Sequence, residues 1–194
     1  MNHIRPALVL IVLFTLLTGI ALPAAMTGIG GALFPRQAGG SLVERDGHVI
    51  GSSLLGQSFT ADKYFQGRPS ATTEPDPKDS TKTISVPYAA DNSAASNLGP
   101  TSKALLDRIT GDIAKAGPKP VPADAVTTSA SGLDPDISPE NAARQVARVA
   151  AARKLTEEQV RAVLADHIEG RALGLIGEPR VNVLALNLAL DALH

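Results

Sequence analysis

Ala7-Leu8-Val9-Leu10-Ile11-Val12-Leu13-Phe14-Thr15-Leu16-Leu17-Thr18-Gly19-Ile20-Ala21-Leu22-Pro23-Ala24-Ala25-Met26-Thr27 carries no charge, and no Asp, Glu, Lys, Arg or His occurs from Pro6 to Pro35. A helix over these ~21 residues would be about 31 Å long at about 1.5 Å per residue, close to the ~30 Å hydrocarbon core of a bilayer. The stretch therefore reads as one transmembrane helix, residues 7–27, after a short segment 1–6 and before a juxtamembrane connection 28–40. A cleaved signal peptide also starts with a basic segment and an apolar run. Residues 21–34 contain no Ala-x-Ala tripeptide, however, and the uncharged stretch outlasts a signal peptide's apolar region, so a retained anchor is expected. Arg5 and the amino terminus precede the span, whereas Arg36, Glu44, Arg45 and Asp46 follow it. The small basic bias places the N-terminus in the cytoplasm and residues 41–194 outside it, in the extracytoplasmic space.

Composition restricts what that outer part does. Lys plus Arg number 18 against 19 Asp plus Glu, a net charge of −1, so the basic excess that nucleic-acid backbones select is missing. With four Phe, two Tyr and no Trp, the core must be built from aliphatic side chains and alanine. There is no cysteine, hence no disulfide, thiolate nucleophile or Cys-ligated zinc.

The outer part reads as α/β or α+β. Ser41–Arg45 and His48–Leu55 are strand-like around Asp46-Gly47, a pair suited to a type I′ hairpin turn. Residues 69–139 hold 10 of the 14 prolines, and the Pro/Ser/Thr-rich stretch 72–102 is expected to be a long loop or partly mobile insertion. Leu105, Ile109 and Ile113, with Leu106 beside them, predict an amphipathic helix over about 101–116 that Gly117-Pro118 stops. Ser138-Pro139-Glu140 caps a helix running to about Arg153. Thr156-Glu157-Glu158-Gln159 is a capping box that starts another, with Leu155 able to staple onto Val160. At 183–193 helical and alternating patterns compete. Leu and Ala favour helix, and no β-branched residue follows Val183.

Signatures of phosphate loops, dinucleotide folds and zinc proteases are absent. Ser131, His167 and Asp134 offer the residue types of a nucleophile, base and orienter, which would make the chain a membrane-anchored extracytoplasmic hydrolase. No Gly-x-Ser-x-Gly elbow supports that alternative. His167 with Glu169 is an equally weak metal pair, since a histidine near a helix C-terminus is explained without a metal. The expectation is no catalytic residue and no metal ligand of the chain's own.

Several strings in fixed order carry more information. Gly51-Ser52-Ser53-Leu54-Leu55-Gly56-Gln57-Ser58-Phe59, Tyr64-Phe65-Gln66-Gly67-Arg68-Pro69-Ser70-Ala71 and Ser96-Asn97-Leu98-Gly99-Pro100 come first. Ser131-Gly132-Leu133-Asp134-Pro135-Asp136-Ile137-Ser138-Pro139, His167-Ile168-Glu169-Gly170-Arg171 and Gly177-Glu178-Pro179-Arg180-Val181-Asn182-Val183 follow. With the N-terminal span, they make the chain resemble, over almost its whole length, the C subunit of the bacterial Kdp potassium-transporting P-type ATPase. Asp136 departs from that pattern, where histidine is more usual, and 72–94 matches loosely.

The resemblance implies a non-catalytic accessory subunit of an ATP-driven, high-affinity potassium importer in the cytoplasmic membrane. Its partners would be a pore-like A subunit, an ATP-hydrolysing B subunit and a small F subunit, with ATP and potassium handled by those partners. It further implies a catalytic-chaperone role that raises the B subunit's ATP affinity, linked to the motif Leu54, Leu55, Gly56 and Gln57. An extracytoplasmic domain cannot touch cytoplasmic ATP, so the topology argues against nucleotide contact at Gln57 and for a strand-end residue satisfied locally. Gly19 and Gly28 are candidates for close helix approach within the membrane, together with Gly30 and Gly31. Arg68, Arg171 and Arg180 either anchor loops to carboxylates such as Asp134 and Glu178 or face a partner subunit. Gly67, Gly99, Gly132 and Gly177 are expected to serve turns, with Pro69, Pro100, Pro135 and Pro179 fixing them.

Overall fold

The computed structural model describes residues 3–116 and 120–193, so the Gly117-Pro118 helix stop lies outside the described residues. The chain divides into two units, one ending at Ser52 and one beginning at Ser53.

In the first unit, α1 (Ile4–Leu16), a π turn (Leu17–Ala21) and α2 (Leu22–Leu33) form one continuous helix, Ile4–Leu33, of 30 residues and mean hydropathy 2.5. None of its residues is buried by the rest of the chain. At about 1.5 Å per residue it reaches ~45 Å, enough to cross a bilayer with length to spare. The π turn has a local cause. Pro23 brings no N–H and its ring crowds the carbonyl of Gly19, so the preceding turn widens and Leu22 N–H reaches back to Leu17 O. Thr18 Oγ1 donates to Phe14 O at 2.7 Å, occupying a carbonyl on the same stretch. The helix runs on through Gly28, Gly30 and Gly31 and ends at Phe34 (φ −134°), where Pro35 disfavours helical geometry in the residue before it. After the single turn α3 (Pro35–Ala38), β1 (Leu42–Arg45) and β2 (His48–Ser52) pair antiparallel. Asp46 (φ 53°) and Gly47 (φ 77°) supply the two positive angles of the expected hairpin turn.

The second unit is mixed helix and sheet. The stretch 72–102 is not loop throughout: β3 (Thr73–Asp76) and β4 (Asp79–Ser85) form an antiparallel hairpin across Pro77-Lys78. Asp76 Oδ1 accepts from Lys78 N at 2.8 Å and Asp79 Oδ1 from Thr81 N at 3.1 Å, so side chains build the turn that the composition suggests only as loop. α4 (Lys103–Lys115) then buries none of its residues fully. β5 (Asp136–Ile137), β6 (Ile168–Glu169) and β7 (Arg180–Asn182) make a small antiparallel sheet in the order β5-β7-β6.

Three helices cover the core. α5 (Pro139–Arg153) begins at Ser138, whose Oγ accepts from Asn141 N at 3.1 Å, and ends at Lys154 in the left-handed conformation (φ 58°). α6 (Glu157–Asp166) carries the predicted capping box, Thr156 Oγ1 accepting from Gln159 N and Gln159 Oε1 from Thr156 N. α7 (Val183–Asp191) resolves the ambiguous terminus as helix, capped by Asn182. Val146, Val149, Val160, Val181, Leu186 and Leu190 are fully enclosed with Phe65, the one aromatic side chain in the core cluster. Leu155 and Val163 pack on its edge.

Candidate functional site

Three of the ordered strings, 51–59, 64–71 and 131–139, meet in one polar knot with Thr72, Val86 and Tyr88. Gly56 N donates to Leu133 O at 2.8 Å, which ties the Leu54-Leu55-Gly56-Gln57 loop to the Gly132-Leu133-Asp134 loop. Arg68 pairs with Asp134 at 2.8 Å through Nη1, and Tyr88 Oη donates to Arg68 O at 2.8 Å. Ser70 Oγ donates to Gly132 O at 2.8 Å and accepts from Tyr88 N at 3.1 Å, while the buried Thr72 Oγ1 donates to Val86 O at 2.6 Å. The bonds of Gly56, Arg68 and Ser70 to residues 132–134 join segments far apart in the chain, and those to Val86 and Tyr88 close the base of the β3–β4 hairpin.

Two glycines are required here by contact. A Cβ on Gly56 would lie 2.4 Å from the Tyr88 ring, and one on Gly67 would lie 2.2 Å from Tyr88 Oη. Gly67 thus makes room for a ring instead of supplying a turn angle, whereas Gly132 (φ 71°) and Gly177 (φ 84°) do adopt left-handed turns. Gly99 shows neither a positive φ nor a neighbour at the Cβ position.

The electrostatics of the knot are those of a closed structure. Burial, with Asp134 adding and Arg68 subtracting, pushes the Tyr88 phenol up to about 12. It is therefore a neutral hydrogen-bond donor at physiological pH. Asp136 is raised above the ordinary carboxylate range, chiefly by burial, although Arg180 at 3.2 Å and the amide of Asn182 at 3.2 Å oppose the shift. Arg148, which donates to Tyr64 O at 3.1 Å, is lowered mainly by burial.

The three arginines singled out from sequence all have carboxylate partners. Arg68 holds Asp134, Arg171 holds Glu178 at 2.7 Å, and Arg180 bridges Asp136 to Glu169 at 2.9 Å. Such pairs are of the kind that anchors loops, and the Arg171 and Arg180 side chains remain 46% and 58% exposed. Leu54 and Leu55 stand outward, 60% and 38% exposed, at the rim of a cleft that Arg68, Ser131 and Asp134 also line. Gln57 is half-buried and does not line that cleft. Gly19, inside the π turn, and Gly28 have open space where a Cβ would stand.

Ser131 and Asp134 share the cleft, but His167 does not line it; its Nδ1 lies 2.8 Å from Val163 O at the end of α6. Ser131 Oγ accepts from Leu133 N at 3.1 Å, a turn-closing bond. Among the described residues, no group of three or more His, Cys, Asp or Glu is placed to hold a metal ion.

Two further residues of structural weight are not among those singled out from the sequence. Asn187 on α7 accepts from Phe65 N at 2.8 Å and donates to Phe65 O at 2.9 Å. Gln145 on α5 does the same for Gln66, at 2.8 and 3.0 Å. Two side-chain amides thereby replace a neighbouring strand and let the Phe65-Gln66 backbone run through the core with its polar groups satisfied. A buried amide on an otherwise apolar helix face, as in Leu186-Asn187-Leu188, was the available clue.

Comparison with known proteins agrees over the full length. The family model described as the K+-transporting ATPase, c chain (KdpC) matches residues 4–192. A potassium-transporting ATPase KdpC subunit of Rhodopseudomonas palustris strain BisB18 is 63% identical over 196 residues, covering 99% of this chain and 98% of the relative. Those of Methylobacterium nodulans (63% over 197 residues, 100% and 98% covered) and Bradyrhizobium diazoefficiens (64% over 195 residues, 98% and 97% covered) are equally similar.

Proposed function

This chain belongs to the KdpC family, the c chain of potassium-transporting ATPases, and from that premise we propose that it is a non-catalytic accessory subunit of an ATP-driven potassium importer. The helix Ile4–Leu33 anchors it once in the cytoplasmic membrane, N-terminus inside and the unit from Ser53 outside. Its partners are the pore-forming A, ATP-hydrolysing B and small F subunits. The observation that carries the reading is the helix itself: uncharged from Pro6 to Leu33 and with no residue buried by its own chain, it has its surface free for lipid and for neighbouring helices.

The roles follow from the chemistry of the parts. Gly19 and Gly28, with nothing near their Cβ positions, allow a partner helix to approach closely. The outer unit stabilises the assembled complex and prefers one transport state, so its effect on the B subunit's ATP affinity is allosteric. ATP and potassium stay with the partners, and Gln57 acts in the Gly56–Leu133 loop junction without touching nucleotide. Arg68, with its charge neutralised by Asp134, keeps that junction in shape.

Removal of residues 53–194, with the helix retained, tests the proposal in the assembled complex. We expect the ATPase to need more ATP and more potassium for half-maximal activity. Unchanged ATP and potassium dependence in an intact complex would sink the modulatory role.

A further inference from the structure

Pro23 leaves the helix Ile4–Leu33 short of backbone donors at its middle. In a regular helix each carbonyl accepts the N–H four residues on. Across the π turn Leu22 N–H goes to Leu17 O, and α2 starts at Leu22, which commits Ala25 N–H to Ala21 O. Pro23 has no N–H. The carbonyls of Thr18, Gly19 and Ile20 therefore share one backbone donor, that of Ala24. Ala24 N–H lies four residues on from Ile20, the spacing of the α-helix it belongs to, so Thr18 O and Gly19 O are left without one. Side chains of the helix do not fill the gap. Its hydrogen-bonding side chains are Arg5, Thr15, Thr18 and Thr27, and the Thr18 hydroxyl is spent on Phe14 O. Thr15 leans toward the N-terminus, away from these carbonyls, and Thr27 reaches back only to Pro23 and Ala24. The gap is also central: 14 residues of the helix precede Thr18 (4–17) and 14 follow Gly19 (20–33), so either end is about 21 Å away. At that depth of a bilayer, irregular backbone occurs only where protein covers it or a water-filled cavity adjoins it. Gly19 leaves the spot open to a neighbour, with nothing within 4 Å of where a Cβ would stand.

We infer that the Thr18 and Gly19 carbonyls are a polar docking point, closed by the side-chain amide of an Asn or Gln on a transmembrane helix of the transporter, an inference that rests on the membrane-anchored accessory-subunit reading above. Two adjacent acceptors match the two N–H groups that a single carboxamide nitrogen carries, whereas a hydroxyl brings one. Side-chain amides are among the groups that hydrogen-bond across helices inside membranes. Lys and Arg have enough donors but bring a charge that is costly at this depth. A second copy of this chain cannot supply the group, because there is no Asn or Gln between Ile4 and Leu33. The docking point also gives the anchor an orientation. Leu22, four residues beyond Thr18, stands on the side where that carbonyl points and faces protein. Ala24, about 200° round the helix from Leu22, faces lipid.

The experiment uses the full chain co-expressed with its transporter subunits. A photoreactive amino acid in place of Leu22 should cross-link on illumination to a subunit peptide that holds a transmembrane Asn or Gln, and one in place of Ala24 should give lipid adducts. Leu22 adducts only with lipid or a second copy, a captured peptide without Asn or Gln, or the same partner from both positions would each overturn the inference. In parallel, Pro23→Ala returns the missing N–H to the helix. It should lower retention of the chain in the washed complex by about threefold to tenfold, the scale of one or two interhelical hydrogen bonds, with the helix content in lipid vesicles unchanged by circular dichroism. Replacing the captured Asn or Gln by Leu should cost the unaltered chain as much and cost Pro23→Ala nothing further. Unchanged retention of Pro23→Ala, or losses that simply add, overturns the inference alone. If the unaltered chain itself fails to co-purify with the transporter subunits, the accessory-subunit reading falls and this inference with it.

Discussion

Tyr88 shows how a single residue joins the family strings. Its ring fills the space left by Gly56 and Gly67, its hydroxyl donates to Arg68 O, and its backbone N–H meets Ser70. A phenol whose folded-state pKa is raised contributes stability that is complete below its unfolded pKa and lost as pH climbs through the folded one. With an ordinary value of 10.0 raised to about 12, the window is alkaline. We expect the urea midpoint of the wild-type protein to fall between those two values, and Tyr88→Phe to lack that component of the decline. Identical alkaline profiles for the two proteins would refute the assignment. The glycines of these strings were visible in the sequence, but the reason for Gly67 was not, because the ring that requires it comes from a residue in the loosely matching stretch. Asp136 teaches the same lesson: its departure from the family pattern is legible, whereas its position between Arg180 and Asn182 is not.

At the scale of elements, what was legible is what short-range chemistry writes. Ser138 and Thr156 start their helices because their hydroxyls accept the N–H three residues on, and the left-handed Lys154 closes the first helix. Asp124 adds what spacing does not disclose, accepting from Ser138 N at 2.8 Å, from Ser138 Oγ at 2.9 Å and from Asn141 Nδ2 at 3.1 Å. Ser138→Ala removes the cap and one partner of that carboxylate. The variant should lose ~1–2 kcal/mol in urea unfolding, and a loss near zero would show that water replaces the hydroxyl. The β3–β4 hairpin escaped because Pro75, Pro77 and runs of Ser and Thr lack the alternation of a half-buried strand. In the structure it is almost wholly exposed or half-exposed and needs none. β5, β6 and β7, two or three residues each, are too short to have a period.

Considered whole, the chain divides into two units, and the core cluster belongs to the second. Every residue of the core cluster lies beyond Ser53, so a chain beginning there contains its complete hydrophobic core. Such a fragment should be soluble and unfold in one cooperative urea transition by circular dichroism; a broad, non-cooperative loss of signal would mean that the unit depends on the residues before it. The sequence alone determined the apolar helix, the hairpin turn at Asp46-Gly47, the helix caps and the family, because each rests on composition or on residues a few positions apart. Tertiary structure alone decided that Arg68 meets Asp134, that Tyr88 covers two glycines, that Asn187 completes the backbone of Phe65 from 122 positions away, and that Leu173 and Leu175 point outward. These are outcomes of burying one shared core. The free energy of each depends on where the other segments have already been placed, and no local spacing encodes it.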